Sequence, residues 1–265
     1  MSAGVVGSAV FEGEDGRFVA NEVARGPWDP NAQHGGAPAA LLMREFERVP
    51  AAEGLMIARV TYELLRPVPL GGLTVAAEVI RPGRRVQLLE GSIRDGDGTE
   101  VVRARALQVH VADAGAPPTP NFPPPPGPEH GTEVEPPFNP QQSPTFAPEA
   151  IEIRFISGRF GGGPATAWFR LRVPLVDGEA PTALQRLAAA GDFGNGISAV
   201  LSWEEHLFIN PDLTLYIDRP PQGEWICLDA RTIIAARGVG IAESTIYDQG
   251  GRVGRAVQAL LVAPR

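Results

Sequence analysis

With 265 residues, 43% of them hydrophobic and 20% charged, the chain can bury a sizeable core as one large domain or as two of about 130 residues each. A formal net charge of −8 argues against nucleic acid as the main partner. No run approaches the roughly 18 apolar residues that span a bilayer. The start, Met1-Ser2-Ala3-Gly4-Val5-Val6, lacks the basic region and apolar core of a secretory signal. The single cysteine, Cys227, cannot form an internal disulfide, and the expected location is cytoplasmic.

In chain order, residues 8–12 and 17–23 flank Glu14-Asp15-Gly16 and predict a hairpin. The turn-prone Trp28-Asp29-Pro30-Asn31 leads into Ala32-Gln33-His34-Gly35-Gly36. An alanine-rich helix is predicted over 35–48, with Leu41, Leu42, Phe46 and Val49 along one side, ended by Pro50 and Gly54. Glycines at a helix mouth admit another group close to the backbone, where the first N–H groups lack intrahelical partners. Such a mouth either receives an anion or an oxygen that becomes negative during reaction, or simply lets the helix lie close to a sheet.

Strands are predicted over 56–65, 73–80, 86–94 and 100–112, separated by proline, glycine and Asp95-Gly96-Asp97-Gly98 turns. One helix followed by a meandering antiparallel sheet is an α+β pattern. From about 114 to 149 prolines crowd the chain, which predicts an extended linker crossing the surface. The pattern then restarts: strands over 150–156 and 167–173, a helix over 181–190, a second short helix over 197–206, and strands over 213–218, 225–236, 239–247 and 254–262.

The halves repeat. Thr61-Tyr-Glu-Leu-Leu-Arg66-Pro67 matches Thr214-Leu-Tyr-Ile-Asp-Arg219-Pro220, and Ala106-Leu107-Gln108-Val109 lies opposite Ala256-Val257-Gln258-Ala259. Duplication of an α+β unit imitates a homodimer within one chain. Modules at 1–113 and 150–265, with a linker at 114–149, are expected.

Four stretches in this order resemble the acyl-CoA thioesterase II (TesB-like) family, in its actinobacterial thioesterase-like branch. They are Trp28-Asp29-Pro30-Asn31-Ala32-Gln33-His34-Gly35-Gly36, Gly191-Asp192-Phe193, Thr214-Leu-Tyr-Ile-Asp-Arg219-Pro220 and Val257-Gln258. The resemblance implies a double hotdog fold, two tandem modules each wrapping a sheet around a long helix. It implies hydrolysis of a fatty acyl-CoA to free acid and CoA, without a cofactor; the four histidines are scattered and Cys227 is alone, so no metal site is expected. Its water-binding aspartate, hydroxyl residue and glutamine fall on Asp192, Thr214 and Gln258. The family's aromatic and histidine before Arg-Pro are replaced by Ile217 and Asp218. Pairing of two such chains as a homodimer of double hotdogs is left open.

The chemistry suits those residue types. A thiolate leaves readily, so a carboxylate such as Asp192 can serve as general base toward water, or as a nucleophile. Thr214 and Gln258 offer donor and acceptor capacity to hold the water. His34, Gly35, Gly36, Phe193 and Gly194 are expected to bind substrate, with an N–H at the Gly35-Gly36 mouth or at Phe193-Gly194 taking the oxyanion. Each residue also has a plain reading: Asp192 as a helix cap, Thr214 as a strand residue, Gln258 as an inheritance of the repeat with Gln108, His34 as a prop for the turn. Arg66, Arg84, Arg85, Arg219 and Arg237 either meet CoA phosphates or stand solvated at strand ends. A non-catalytic acyl-CoA or lipid-binding double hotdog is the alternative function. No Gly-x-Ser-x-Gly elbow is present, which argues against an α/β-hydrolase.

Overall fold

The structure, a computed structural model, describes residues 9–113, 115, 117, 119, 123–137 and 144–265. Residue 8 of the expected hairpin and residues 114, 116, 118, 120–122 and 138–143 of the expected linker lie outside them. The first half holds β1 (Phe11–Glu14), β2 (Arg17–Ala20), α1 (Gly36–Arg48), β3 (Leu55–Leu64), β4 (Gly71–Arg81), β5 (Val86–Asp95) and β6 (Glu100–His110). A two-residue strand, β7 (Thr132–Glu133), follows. The second half holds β8 (Ile151–Ser157), β9 (Ala165–Leu171), α2 (Ala183–Gly191), α3 (Gly194–Ile197), β10 (His206–Ile209), β11 (Asp212–Ile217), β12 (Ile226–Ala235), β13 (Val239–Asp248) and β14 (Gly251–Pro264). The β1–β2 turn sits on Asp15 and Gly16, both at positive φ, the geometry a two-residue hairpin requires.

Among the described residues the strands form one antiparallel sheet in the order β1-β2-β4-β5-β6-β3-β11-β14-β13-β12-β9-β8-β7, with β10 on the end of β14. Apart from β7 and β10, this order is a palindrome about the β3–β11 junction. There Thr61 pairs with Thr214, its own repeat mate 153 residues on. A residue that pairs with its own mate lies on the pseudo-twofold axis.

The axis also corrects the alignment of the final strands. Glu90 pairs with Arg105, and its mate Glu243 at the same offset pairs with Val257. Gln258 therefore corresponds to Ala106, not to Gln108. Gln108 lies two residues farther along β6 and accepts a hydrogen bond from Gln87 at 3.0 Å.

Both long helices fill the concave side of the sheet. Leu41, Leu42, Met43 and Phe46 of α1 and Leu187, Ala188 and Ala189 of α2 are fully buried. Small residues bring the helices together: a Cβ on Gly36 would stand 2.4 Å from the Ala189 carbonyl oxygen. α2 opens with a capping box, Thr182 accepting the Gln185 N–H while the Gln185 side chain returns to the Thr182 N–H.

Two local expectations are corrected. The helix expected over 197–206 is only the single turn α3, and the chain from His206 runs as β10 against β14. His206-Leu207-Phe208-Ile209 finds free edge there, and a paired edge outweighs marginal helix propensity. The proline-rich stretch is also more than a surface strap. Phe146, near its end, is fully buried, and its N–H donates to the Arg25 carbonyl at 2.8 Å.

Candidate active site

The site lies where the start of α1 meets the end of α2. Asp192 follows α2 directly and is 8% exposed. Its Oδ1 accepts from Asn210 Nδ2 at 2.8 Å and from Gln258 Nε2 at 2.9 Å. Gln258 Nε2 also donates to the Asp192 carbonyl at 3.1 Å, and its Oε1 accepts the Asn195 N–H at 3.1 Å. Gln258 is 1% exposed and both ends of its amide are occupied. It anchors Asp192 and has no spare donor for a water.

The other carboxylate oxygen faces α1. Asp192 Oδ2 lies 3.2 Å from His34 Nδ1, and His34 Nδ1 accepts the Gly36 N–H at 3.0 Å. A Cβ on Gly35 would stand 2.7 Å from Asp192 Oδ2. The Gly-Gly step thus exists in order that a carboxylate can reach the helix mouth. There the unsatisfied N–H groups and the macrodipole favour negative charge. The Gly35 N–H has no hydrogen-bond partner among the described residues, and Gly35 lines the adjoining cleft.

Burial dominates the electrostatics. It pushes the Asp192 carboxyl up to about 7, against the opposing pull of Asn210, Gln258 and the Gly36 N–H. It pushes the His34 imidazole down to about 3. The rings of Phe193 and Phe146 pack against that imidazole, with centroids 4.2 and 5.3 Å away. Near neutrality His34 is uncharged. Because its Nδ1 accepts from Gly36, its proton sits on Nε2.

A cleft of about 330 Å³ opens onto Asp192, His34, Gly35 and Asn210. Its remaining wall is mainly apolar and aromatic, with Arg66 at its edge. Among the described residues no three His, Cys, Asp or Glu side chains are grouped to hold a metal ion. No helix there is long and apolar enough to cross a membrane.

Profiles of the acyl-CoA thioesterase N-terminal and C-terminal domains match residues 24–109 and 111–262. The chain belongs to the acyl-CoA thioesterase family. No curated protein matches it. Several solved structures match over almost their whole length. A protein of Thermobifida fusca assigned as a thioesterase II superposes with a TM-score of 0.71 at 17% identity, covering 97% of this chain and 96% of that one. A hot dog protein of unknown function from Alicyclobacillus acidocaldarius gives 0.71 at 16% identity, with 97% and 96% covered. The acyl-CoA thioesterase II TesB2 of Mycobacterium marinum gives 0.68 at 17% identity, with 96% of each chain covered. The fold is the double hotdog, and the palindromic sheet is its two modules set side by side.

Of the residues expected at the site, the structure brings together Asp192, Gln258, His34, Gly35, Gly36 and Phe193. Thr214 is not among them. Its neighbours Leu213 and Leu215 are buried toward the helices, and strand alternation points Thr214 to the opposite face. Its hydroxyl donates to Thr61 Oγ1 at 3.2 Å. Asn210 stands in its place beside Asp192. Phe193 contributes its ring, not its N–H, which donates to the Ala190 carbonyl at 3.0 Å. Gly194 packs away from the cleft, where a Cβ would meet Ser244 Oγ at 2.7 Å.

Arg219 does not stand free for a phosphate, since it clamps the buried Asp248 with two 2.6 Å bonds. Cys227 is fully buried, and burial pushes its thiol up, away from thiolate chemistry. The residue that sequence reasoning missed, Asn210, had a signal. Asn210-Pro211-Asp212 is a turn-forming step into β11, and Asn210 Nδ2 also donates to the Asp212 carbonyl at 3.0 Å.

Proposed function

We propose that the chain hydrolyses the thioester of an acyl-CoA to free acid and CoA, with Asp192 as general base. The observation that supports this is a buried carboxylate held at a helix mouth. One of its oxygens is anchored by two amides, the other faces the mouth of α1, and the residue lines an open cleft. In this reading ionised Asp192 takes a proton from a water in the cleft. The water oxygen bonds to the thioester carbon, and the carbonyl electron pair moves onto oxygen. The Gly35 N–H, at the positive end of α1, is the donor for that oxyanion. Collapse breaks the carbon–sulfur bond, and the CoA thiolate departs with the proton held by Asp192. Asn210 and Gln258 position the base, and the side-chain carbonyl of Asn210 is the group that accepts from the attacking water.

Release of free CoA thiol from acyl-CoA substrates tests this reading, and absence of release across acyl classes overturns it. The pH dependence has a defined sign. Because the base must be ionised, kcat/KM rises with pH along a limb centred near Asp192's value of about 7 and flattens above it. A flat profile between pH 5 and 8 would assign the base elsewhere.

Gln258→Leu removes a hydrogen bond that favours ionised Asp192. A bond to a charged group is worth about 1.5–3 kcal/mol, so the limb moves to higher pH by about one to two units. A purely structural loss would lower kcat/KM at every pH without moving the limb.

A further inference from the structure

Four rings of the cleft wall bear on which acyl group it accepts. Trp28, Phe160, Phe193 and Trp203 line the cavity beside Asp192. The two indoles stack at 4.8 Å, and buried Phe208 meets them at 5.1 and 4.6 Å. Walls of this kind present flat, rigid area that favours a second ring through offset or edge-to-face contact. The volume of about 330 Å³ is at the small end of the roughly 300–1,000 Å³ usual for ligand sites.

A straight chain longer than the cleft would need a corridor leading on between helices and sheet, and at two points there the packing is close. A Cβ on Gly91 of β5 would stand 2.9 Å from Leu42 Cδ1 and 3.0 Å from Phe46 Cε1, so α1 lies directly on the sheet. On the other side a Cβ on Gly191 would lie 2.7 Å from Leu215 Cδ2. At those two points the packing leaves no room for a file of methylenes. The cleft itself is the space the structure offers beside Asp192.

We propose that the acyl group is compact and ring-bearing, an aryl or arylalkanoyl thioester, in place of the fatty acyl group that the sequence resemblance implied. This rests on the thioester-hydrolase reading above. The purified full chain is tested for thiol release from phenylacetyl-CoA, hexanoyl-CoA and palmitoyl-CoA, the last below its micelle concentration. The expected kcat/KM for phenylacetyl-CoA exceeds that for palmitoyl-CoA by about tenfold or more, within the range that pocket fit supplies.

Binding is measured separately on Asp192→Asn by quenching of tryptophan fluorescence. Phenylacetyl-CoA is expected to bind about tenfold more tightly than palmitoyl-CoA. Trp203→Leu and, as a second variant, Phe160→Leu each lower the ratio of phenylacetyl-CoA to hexanoyl-CoA activity. Preference for palmitoyl- or hexanoyl-CoA in both assays, or equal binding of all three, overturns the acyl assignment and leaves hydrolysis standing. If the wild-type chain cleaves none of them, the hydrolase reading falls, and the binding series still decides the acyl class.

Discussion

Replacing Asp192 by Asn is expected to lower kcat by about 10²–10⁴-fold, the usual contribution of a positioned general base. The fold should remain intact. Asparagine Oδ1 can accept from Asn210 and Gln258 as the carboxylate does, and its Nδ2 takes the volume of Oδ2 beside His34. KM should change little, because the base acts on water and not on the acyl or CoA groups. Thiol release under saturating substrate checks this. A variant within twofold of the parent would remove Asp192 from the chemistry.

The same variant should reveal how two buried groups offset each other. Asp192 has its folded value raised to about 7 from the usual 3.8. Between those values the folded state holds a proton that the unfolded state has lost, so its contribution to stability grows as pH falls. His34 has its folded value depressed to about 3 from 6.5. In that window the unfolded chain holds the extra proton, and stability falls as pH falls. In the parent the two slopes oppose between about pH 4 and 6.5. In Asp192→Asn only the histidine slope remains, so the variant loses stability on acidification through that window. Above pH 7 it is at least as stable as the parent, because the buried negative charge is gone. Urea midpoints measured from pH 4 to 8 report both signs.

What could be read from the chain, and what could not, divides along a physical line. Hairpin turns, helix caps and alternating strands are local, and they carried the α+β architecture and its duplication. The His34-Gly35-Gly36 mouth and Asp192 were legible because glycines beside a carboxylate are unusual within apolar surroundings. Thr214 was misplaced for an instructive reason. The repeat is most alike at the axis, where a residue must pair with its own copy, and Thr61 and Thr214 hydrogen-bond there. A functional site breaks the repeat and so aligns poorly within it. Asn210 and Gln258 have no equivalents in the first half, where Ala106 stands opposite Gln258 in register. Phe146 escaped notice because its role is set by a contact with His34, 112 residues away in sequence, that no local pattern encodes.

The glycine before α1 carries the second large effect. Gly35→Ala is expected to lower kcat by about 10²-fold, with smaller loss of stability than the corresponding change at Gly36. The Gly35 backbone is helical, with φ −57° and ψ −25°, so alanine fits the conformation and no strain arises from the chain itself. The obstruction is Asp192 Oδ2, 2.7 Å from where the methyl would sit. That carboxylate must withdraw, and a displacement of about 1 Å at a base is enough for a loss of this size. At Gly36 the new methyl would instead meet the Ala189 carbonyl oxygen at 2.4 Å. That atom belongs to α2 and cannot swing aside, so Gly36→Ala should force the helices apart and cost about 1–3 kcal/mol in unfolding free energy. Paired kinetics and urea unfolding on the two variants separate the roles. An active Gly35→Ala would show that Asp192 Oδ2 need not approach the helix mouth during turnover.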